Sequence, residues 1–238
     1  ERIAWAVLDS GIDGTHPAFT RNPGDNPPAA SDNAQPPSRI AAAYDFSTIR
    51  KIVSLDNLDD ARLDEHLREL FAARKLGLKK SDARNRLRKL AEDADNDRPI
   101  DWEQVEELIR IDPALPPRGG HGTHVAGILG GRQGVEQGSV VGSDGMCPDI
   151  QLYDLRVLSH SVEDTEFAII AALQFIRYLN NRQGVRRIHG ANLSLSIPHD
   201  VRNFACGRTP ICDECRRLVD DGVVVVAAAG NLGYQSFE

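Results

Sequence analysis

Three short stretches hold residue types that can do proton-transfer chemistry together. The first is Val7-Leu8-Asp9-Ser10-Gly11-Ile12-Asp13, with His16-Pro17 close behind. An apolar run ending in Asp9 puts a carboxylate at the carboxyl end of a strand, the edge where open α/β sheets place their sites. Taken alone, Asp before Ser-Gly is also common turn chemistry. The second stretch is Gly119-Gly120-His121-Gly122-Thr123-His124-Val125-Ala126-Gly127, which follows a Pro-containing turn and opens a helix. The dipole at a helix start does not favour positive charge, so an imidazole there suits accepting a proton. Gly122 and Gly127 would let the helix lie close against its neighbours. His121 also reads as a turn residue, and His124 as a packed or supporting histidine. The third stretch is an apolar run, residues 223–229, that enters Gly230-Asn231. An Asn at a sheet edge can donate N–H to a developing oxyanion. It can equally close a turn.

These residues need elements to position them. Residues 3–8, 39–46, 150–157, 188–196 and 223–229 are short apolar runs bounded by turn residues. Such runs suit strands of a parallel sheet covered on both faces. Helix-like stretches lie between them, at 124–130, 164–179 and 212–219. That alternation predicts an α/β domain with right-handed crossovers. Residues 20–38 are rich in Pro, Asn and Asp and read as a surface loop. Residues 51–112 stand apart, because 29 of these 62 positions are charged against about a fifth elsewhere. Leu63, Leu67, Leu70 and Phe71 fall there at helical spacing. Ser81 and Asp101 are candidate N-caps, and Asp101 with Gln104 resembles a capping box. The reading is a domain built from residues 1–50 and 113–238, with 51–112 a charged insertion of two or three helices.

A net charge of −7 argues against nucleic acid as the default partner. No apolar run reaches the roughly 18 residues of a membrane-span candidate. The chain opens on Glu1-Arg2 with neither an initiator Met nor a signal segment, which reads as a processed or trimmed start. No compartment is assigned on that ground.

In this order, the D-S-G-I-D, G-H-G-T-H-V-A-G and A-A-A-G-N motifs are similar to those of the subtilase family of serine peptidases. The resemblance covers residues 1 to about 46 and 113–238. It implies a doubly wound, mostly parallel α/β sheet, here with an inserted helical segment, and a serine endopeptidase activity. It assigns Asp9 as the carboxylate that orients the imidazole, His121 as general base and then general acid, and Asn231 as oxyanion donor. Asn192-Leu193-Ser194-Leu195-Ser196 resembles the strand that lines the primary specificity pocket and pairs with substrate. Ser194, Leu195 and Ser196 are the implied substrate-binding residues. Many relatives carry glycines where this chain has Ser196 and Ile197, so specificity does not carry over. Leu155-Arg156-Val157-Leu158 resembles the edge that binds upstream substrate residues by strand addition, which adds Val157 and Leu158. The expected partner is a peptide or protein substrate, with neither nucleic acid nor membrane.

The chain also departs from the family pattern. The family nucleophile sits in a G-T-S motif at the start of a later helix, and this sequence has no such motif. Ser236 has no helix-start context. A serine must reach hydrogen-bond distance of the histidine for this chemistry. Three explanations stay open: the serine lies beyond residue 238, it lies on a separate chain, or the protein is an inactive peptide-binding scaffold. No cofactor is expected. Many relatives bind calcium with an Asp where this chain has Ala18, and the companion loop is replaced by residues 131–143. A calcium cage needs several oxygen ligands, so the site is expected to be absent. Cys206, Cys212 and Cys215, with His199, give a weak zinc pattern. Reduced structural thiols are the first reading there, with a disulfide and zinc as alternatives. Lys75, Lys79, Lys80, Arg84, Arg86, Arg88 and Lys89 form a basic run crowded by acids, which reads as a solvated helical face. The sharper reading is a docking or gating module that restricts which substrates reach the cleft.

Overall fold

A computed structural model describes residues 3–20, 38–73, 77–136, 139–182, 184–197 and 207–231. Lys75, His199, Cys206, Ser236 and most of the 20–38 loop lie outside these residues. The central sheet has six strands in the order β3-β2-β6-β1-β7-β8. Their ranges are β1 Ala4–Asp9, β2 Ile40–Asp45, β3 Arg110–Ile111, β6 Gln151–Arg156, β7 Gly190–Leu193 and β8 Val224–Ala227. The short β3 pairs antiparallel with β2, and the other pairings are parallel. A small hairpin of β4, Gly134–Glu136, and β5, Ser139–Val141, stands outside the sheet. The strand runs are apolar because the sheet is sandwiched. Ala6 and Leu8 point into one core and Val7 into another, as the two-residue period of a strand requires.

Helices lie on both faces. Helix α5, His121–Gly130, packs Ala126 with Val7, Ile40 and Leu152 in the smaller core. Helices α6, Val162–Asn181, and α7, Pro210–Asp220, cover the other face. This is the doubly wound, mostly parallel α/β sheet that the motif order implied. One strand departs from the expectation of cover on both faces. Val224 and Val226 of β8 are 55% and 45% exposed. They lie in register with Gly190 and Asn192 of β7 and, beyond those, Trp5 and Val7 of β1, so the bare strip is on the α5 face.

Helix α1, Ile49–Ile52, straddles the start of the insertion, which goes on to form α2, Asp60–Ala73, α3, Lys80–Asp95, and α4, Trp102–Ile109. Its apolar stripe joins the larger core: Leu63, Leu67, Leu87 and Leu108 are buried with Phe46, Leu155 and Phe175. Buried Glu106 accepts from Tyr44 Oη at 3.2 Å and from Arg110 and Arg182 at 2.5 and 2.7 Å, which ties α4 to the sheet and to α6. Asp101 caps α4 by accepting from the amides of Glu103 and Gln104, as its spacing predicts. The reciprocal half of a capping box is not seen, since Gln104 Oε1 accepts from Arg86 instead. Ser81 is not a cap. Helix α3 starts one residue before it, behind Lys79, and the Ser81 hydroxyl bonds Asp82. Three of the six described residues of the basic run form ion pairs. Arg84 and Arg88 meet Asp60, Arg84 also meets Asp64, and Lys89 meets Asp93. Exposed pairs of this kind contribute about 1 kcal/mol or less each, which fits a solvated face.

A shared core means shared cooperativity. Trp5 reports on the sheet and Trp102 on the insertion, and the chain has no other Trp. We predict that W5F and W102F proteins give coincident urea transitions by fluorescence, as one cooperative unit should. An earlier transition seen only through Trp102 would show that the insertion unfolds by itself.

Candidate active site

Asp9 ends β1 and is almost fully buried, with 2% exposure. His121 opens α5 and is exposed, so its ring spans from core to solvent. The ring Nδ1 lies 2.9 Å from each Asp9 carboxylate oxygen. An Nδ1–H donated to that carboxylate fixes the ring and leaves the opposite nitrogen facing outward, able to take a proton. The two motifs are locked together by residues whose sequence signal is slight. Ser10 Oγ accepts from the Gly122 amide at 3.1 Å and donates to the Gly119 carbonyl at 3.3 Å. It therefore caps a helix whose own N-cap, Gly120, has no side chain to do so. Thr123 Oγ1 accepts from the Asp13 amide at 2.9 Å. Small hydroxyl residues inside both motifs were the available sign, but nothing local says that they pair across 109 to 112 positions.

Close approach makes these bonds possible. A Cβ on Gly122 would stand 2.5 Å from the Gly11 carbonyl oxygen and 3.1 Å from Asp9 Cβ. Gly11 itself has φ near +115°, a conformation that side chains strain. The expectation of similar crowding at Gly127 is not met: a Cβ there would meet nothing within 4 Å.

The other implied residues come to the same sheet edge. Leu8, Leu193 and Ala227 are in register across β1, β7 and β8. Ser194 to Ser196 thus leave β7 beside Asp9, and exposed Asn231 follows β8 through Gly230, whose φ is +96°. Ser194 Oγ accepts from Asn192 Nδ2 at 2.8 Å, and Ser196 is exposed. Leu195 and Ile197 turn toward an apolar groove of about 610 Å³, walled by Val225, Ala227 and α7. Val157 is fully buried and its amide donates to the Asp9 carbonyl, whereas Leu158 is 40% exposed. Of the two, only Leu158 presents its side chain to solvent at this edge. A second open cavity of about 890 Å³ runs along α5 and is bordered by His124, Asp13 and His16 rather than by His121. His124 stays outside the Asp9–His121 bond.

Among the described residues, no group of three or more His, Cys, Asp or Glu is placed to hold a metal. The Ala18 carbonyl accepts from Arg39 Nη1 and from the Arg132 amide. The same Arg39 guanidinium also donates to the carbonyls of Gly130 and Pro148. Cys147, Cys212 and Cys215 are free thiols. Burial pushes the Cys215 thiol up to about 11, with Cys212 and Glu214 adding to it.

Comparison with known proteins bears on the family and the fold. The family model described as the subtilase family matches residues 2–237. Subtilisin DY of Bacillus licheniformis is 32% identical over 114 residues, 48% of this chain and 35% of its own length. Subtilisin Savinase of Lederbergia lenta is 30% identical over 122 residues, 51% of this chain and 38% of its own. The chain spans between 15% and 39% of the length of these and the other curated relatives it matches. Among solved structures, Sphericase aligns over 99% of this chain and 48% of its own, with 21% identity and a TM-score of 0.51, a likeness of fold.

A buried carboxylate behind the site sets a pH dependence. Burial pushes Asp154 of β6 up to about 6, against the pull of the Arg156 guanidinium. Between an unfolded value of about 3.9 and this one, the folded state holds a proton that the unfolded state lacks. Asp154 therefore costs stability progressively as pH rises through that window, and the cost is constant above it. The stability of Asp154→Asn minus that of the wild type is expected to rise between about pH 4 and pH 6 and then level off. Urea melts at stepped pH measure this, and a flat difference would refute it.

Proposed function

The chain belongs to the subtilase family, and from that premise we propose that it activates a serine for peptide-bond hydrolysis. The observation that carries the reading is the His121 ring held at 2.9 Å by both oxygens of buried Asp9. In this reading His121 takes the proton of a serine hydroxyl as it attacks the carbonyl carbon. Asp9 holds the ring and stabilises the imidazolium that forms. The tetrahedral oxyanion is met by the Asn231 side chain. His121 then returns the proton to the leaving amine, and water repeats the cycle on the acyl-enzyme. A peptide or protein substrate lies along residues 194–196 on one side and Leu158 on the other.

We place the serine on a segment that seats against the bare strip of β8. Val224 and Val226 are apolar, exposed, and on the face that carries α5. A helix covering them would bring its start toward His121. The rival reading, a scaffold that binds peptides without chemistry, has no need for the Asp9–His121 bond. No calcium is proposed beside Ala18, because the guanidinium of Arg39 and the amide of Arg132 already take that carbonyl. The insertion would restrict substrate access only through exposed residues such as Lys79 and Lys80, since its apolar face is spent on the core.

The test is peptide hydrolysis by the full-length protein. His121→Ala is expected to lower kcat by about 10⁶-fold and Asp9→Asn by about 10⁴-fold, the scale of the losses known for serine-protease triads, a subtilisin's among them. Asn231→Leu should cost about 10²–10³, the loss a subtilisin shows without its oxyanion-hole Asn. A chelator should leave wild-type activity unchanged. Hydrolysis that survives His121→Ala within tenfold would overturn the assignment.

A further inference from the structure

Arg156 ends β6 and stands in register with Asp9 of β1. Its side chain is only 8% exposed. Four of its five N–H groups meet acceptors on three separate segments. Nε donates to Asp154 Oδ2 at 2.9 Å, on its own strand. Nη2 donates to the Ile12 carbonyl at 3.3 Å and the Leu115 carbonyl at 2.7 Å. Nη1 donates to the Pro116 carbonyl at 3.1 Å. Ile12 belongs to the turn that leaves Asp9. Leu115 and Pro116 belong to the turn that leads into His121. The fit is close: a Cβ on Gly11 would stand 2.7 Å from Arg156 Nε and 2.9 Å from Pro117 Cβ.

Stability is a weak reason for such a group. Burying an ion pair costs several kcal/mol of desolvation, and apolar residues of like volume often serve as well. Asp154 sharpens the point, because it is 1% exposed and burial raises its carboxyl despite the guanidinium beside it. What a guanidinium supplies that an apolar group cannot is a rigid fork that aims several carbonyls at once. We propose that Arg156 is a positioning residue for the proposed proton transfer, fixing the turn after Asp9 against the turn before His121 and so setting how the imidazole meets the carboxylate. Asp154 in turn fixes the guanidinium from behind. Neither side chain touches substrate.

The activity arm of the test rests on the hydrolytic reading, and a second arm does not. Arg156→Lys keeps the charge, but three donors on one nitrogen cannot span acceptors on three segments. Its kcat is expected to fall about 10²-fold, the scale of an ångström-size misplacement, with KM within about twofold. The second readout is the downfield proton resonance of His121 Nδ1–H, which should be present in the wild type and be broadened or lost in the folded Lys variant. Asp154→Asn should show a smaller change of the same kind, and it decides the matter if the Lys variant does not fold. A folded Arg156→Lys protein with kcat within twofold of wild type and an unchanged resonance overturns the proposal. A wild type that hydrolyses nothing, while its resonance behaves as stated, overturns the hydrolytic reading and leaves the positioning role standing.

Discussion

The imidazole of His121 can rest on the carboxylate of Asp9 only if the first turn of α5 lies against the end of β1. That contact crosses 112 positions of sequence, and most of what is unusual in the surrounding backbone serves it. Gly122 has no Cβ because the Gly11 carbonyl occupies the space a Cβ would take. Gly11 takes a positive φ because the strand must turn away at once to leave that space. The Ser10 hydroxyl satisfies the Gly122 amide, an orphan donor that a Gly cap leaves open. Thr123 does the same for the turn at Asp13.

Charge is buried beneath this contact in unusual density. Asp9, Asp154 and Arg156 are each at most 7% exposed. Each would be costly alone. Together they form a layer in which one guanidinium faces the carboxylate behind it and the carbonyls of both turns in front. The sheet supplies the rigidity: β6 and β1 run parallel with every residue from Ala4 to Asp9 paired. Proton transfer needs reacting atoms held within a fraction of an ångström, and rigid strands do that better than loops.

Legibility from sequence followed the range of the interactions. Asp9 and His121 were readable as partners because each sits in a compact motif, and the strands were readable because their apolar runs are local. The Asp101 cap was readable because it acts within three residues. Ser81 carried the same signal and failed, because α3 starts one residue ahead of it, behind Lys79. The role of Arg156 was not readable at all. Three of its four acceptors are main-chain carbonyls 40 to 144 positions away, and a carbonyl has no residue type to recognise. The bare face of β8 was hidden for a related reason, since an apolar run looks the same whether or not anything covers it.

The proposed chemistry requires a serine that His121 activates. The most direct measurement is treatment of the full-length protein with a fluorophosphonate, followed by mass analysis of its peptides. The prediction is one phosphonylated serine in the wild type, little or none with His121→Ala, and slowed labelling with Asp9→Asn. A wild-type protein that takes up no label, or one labelled equally well without His121, would contradict it.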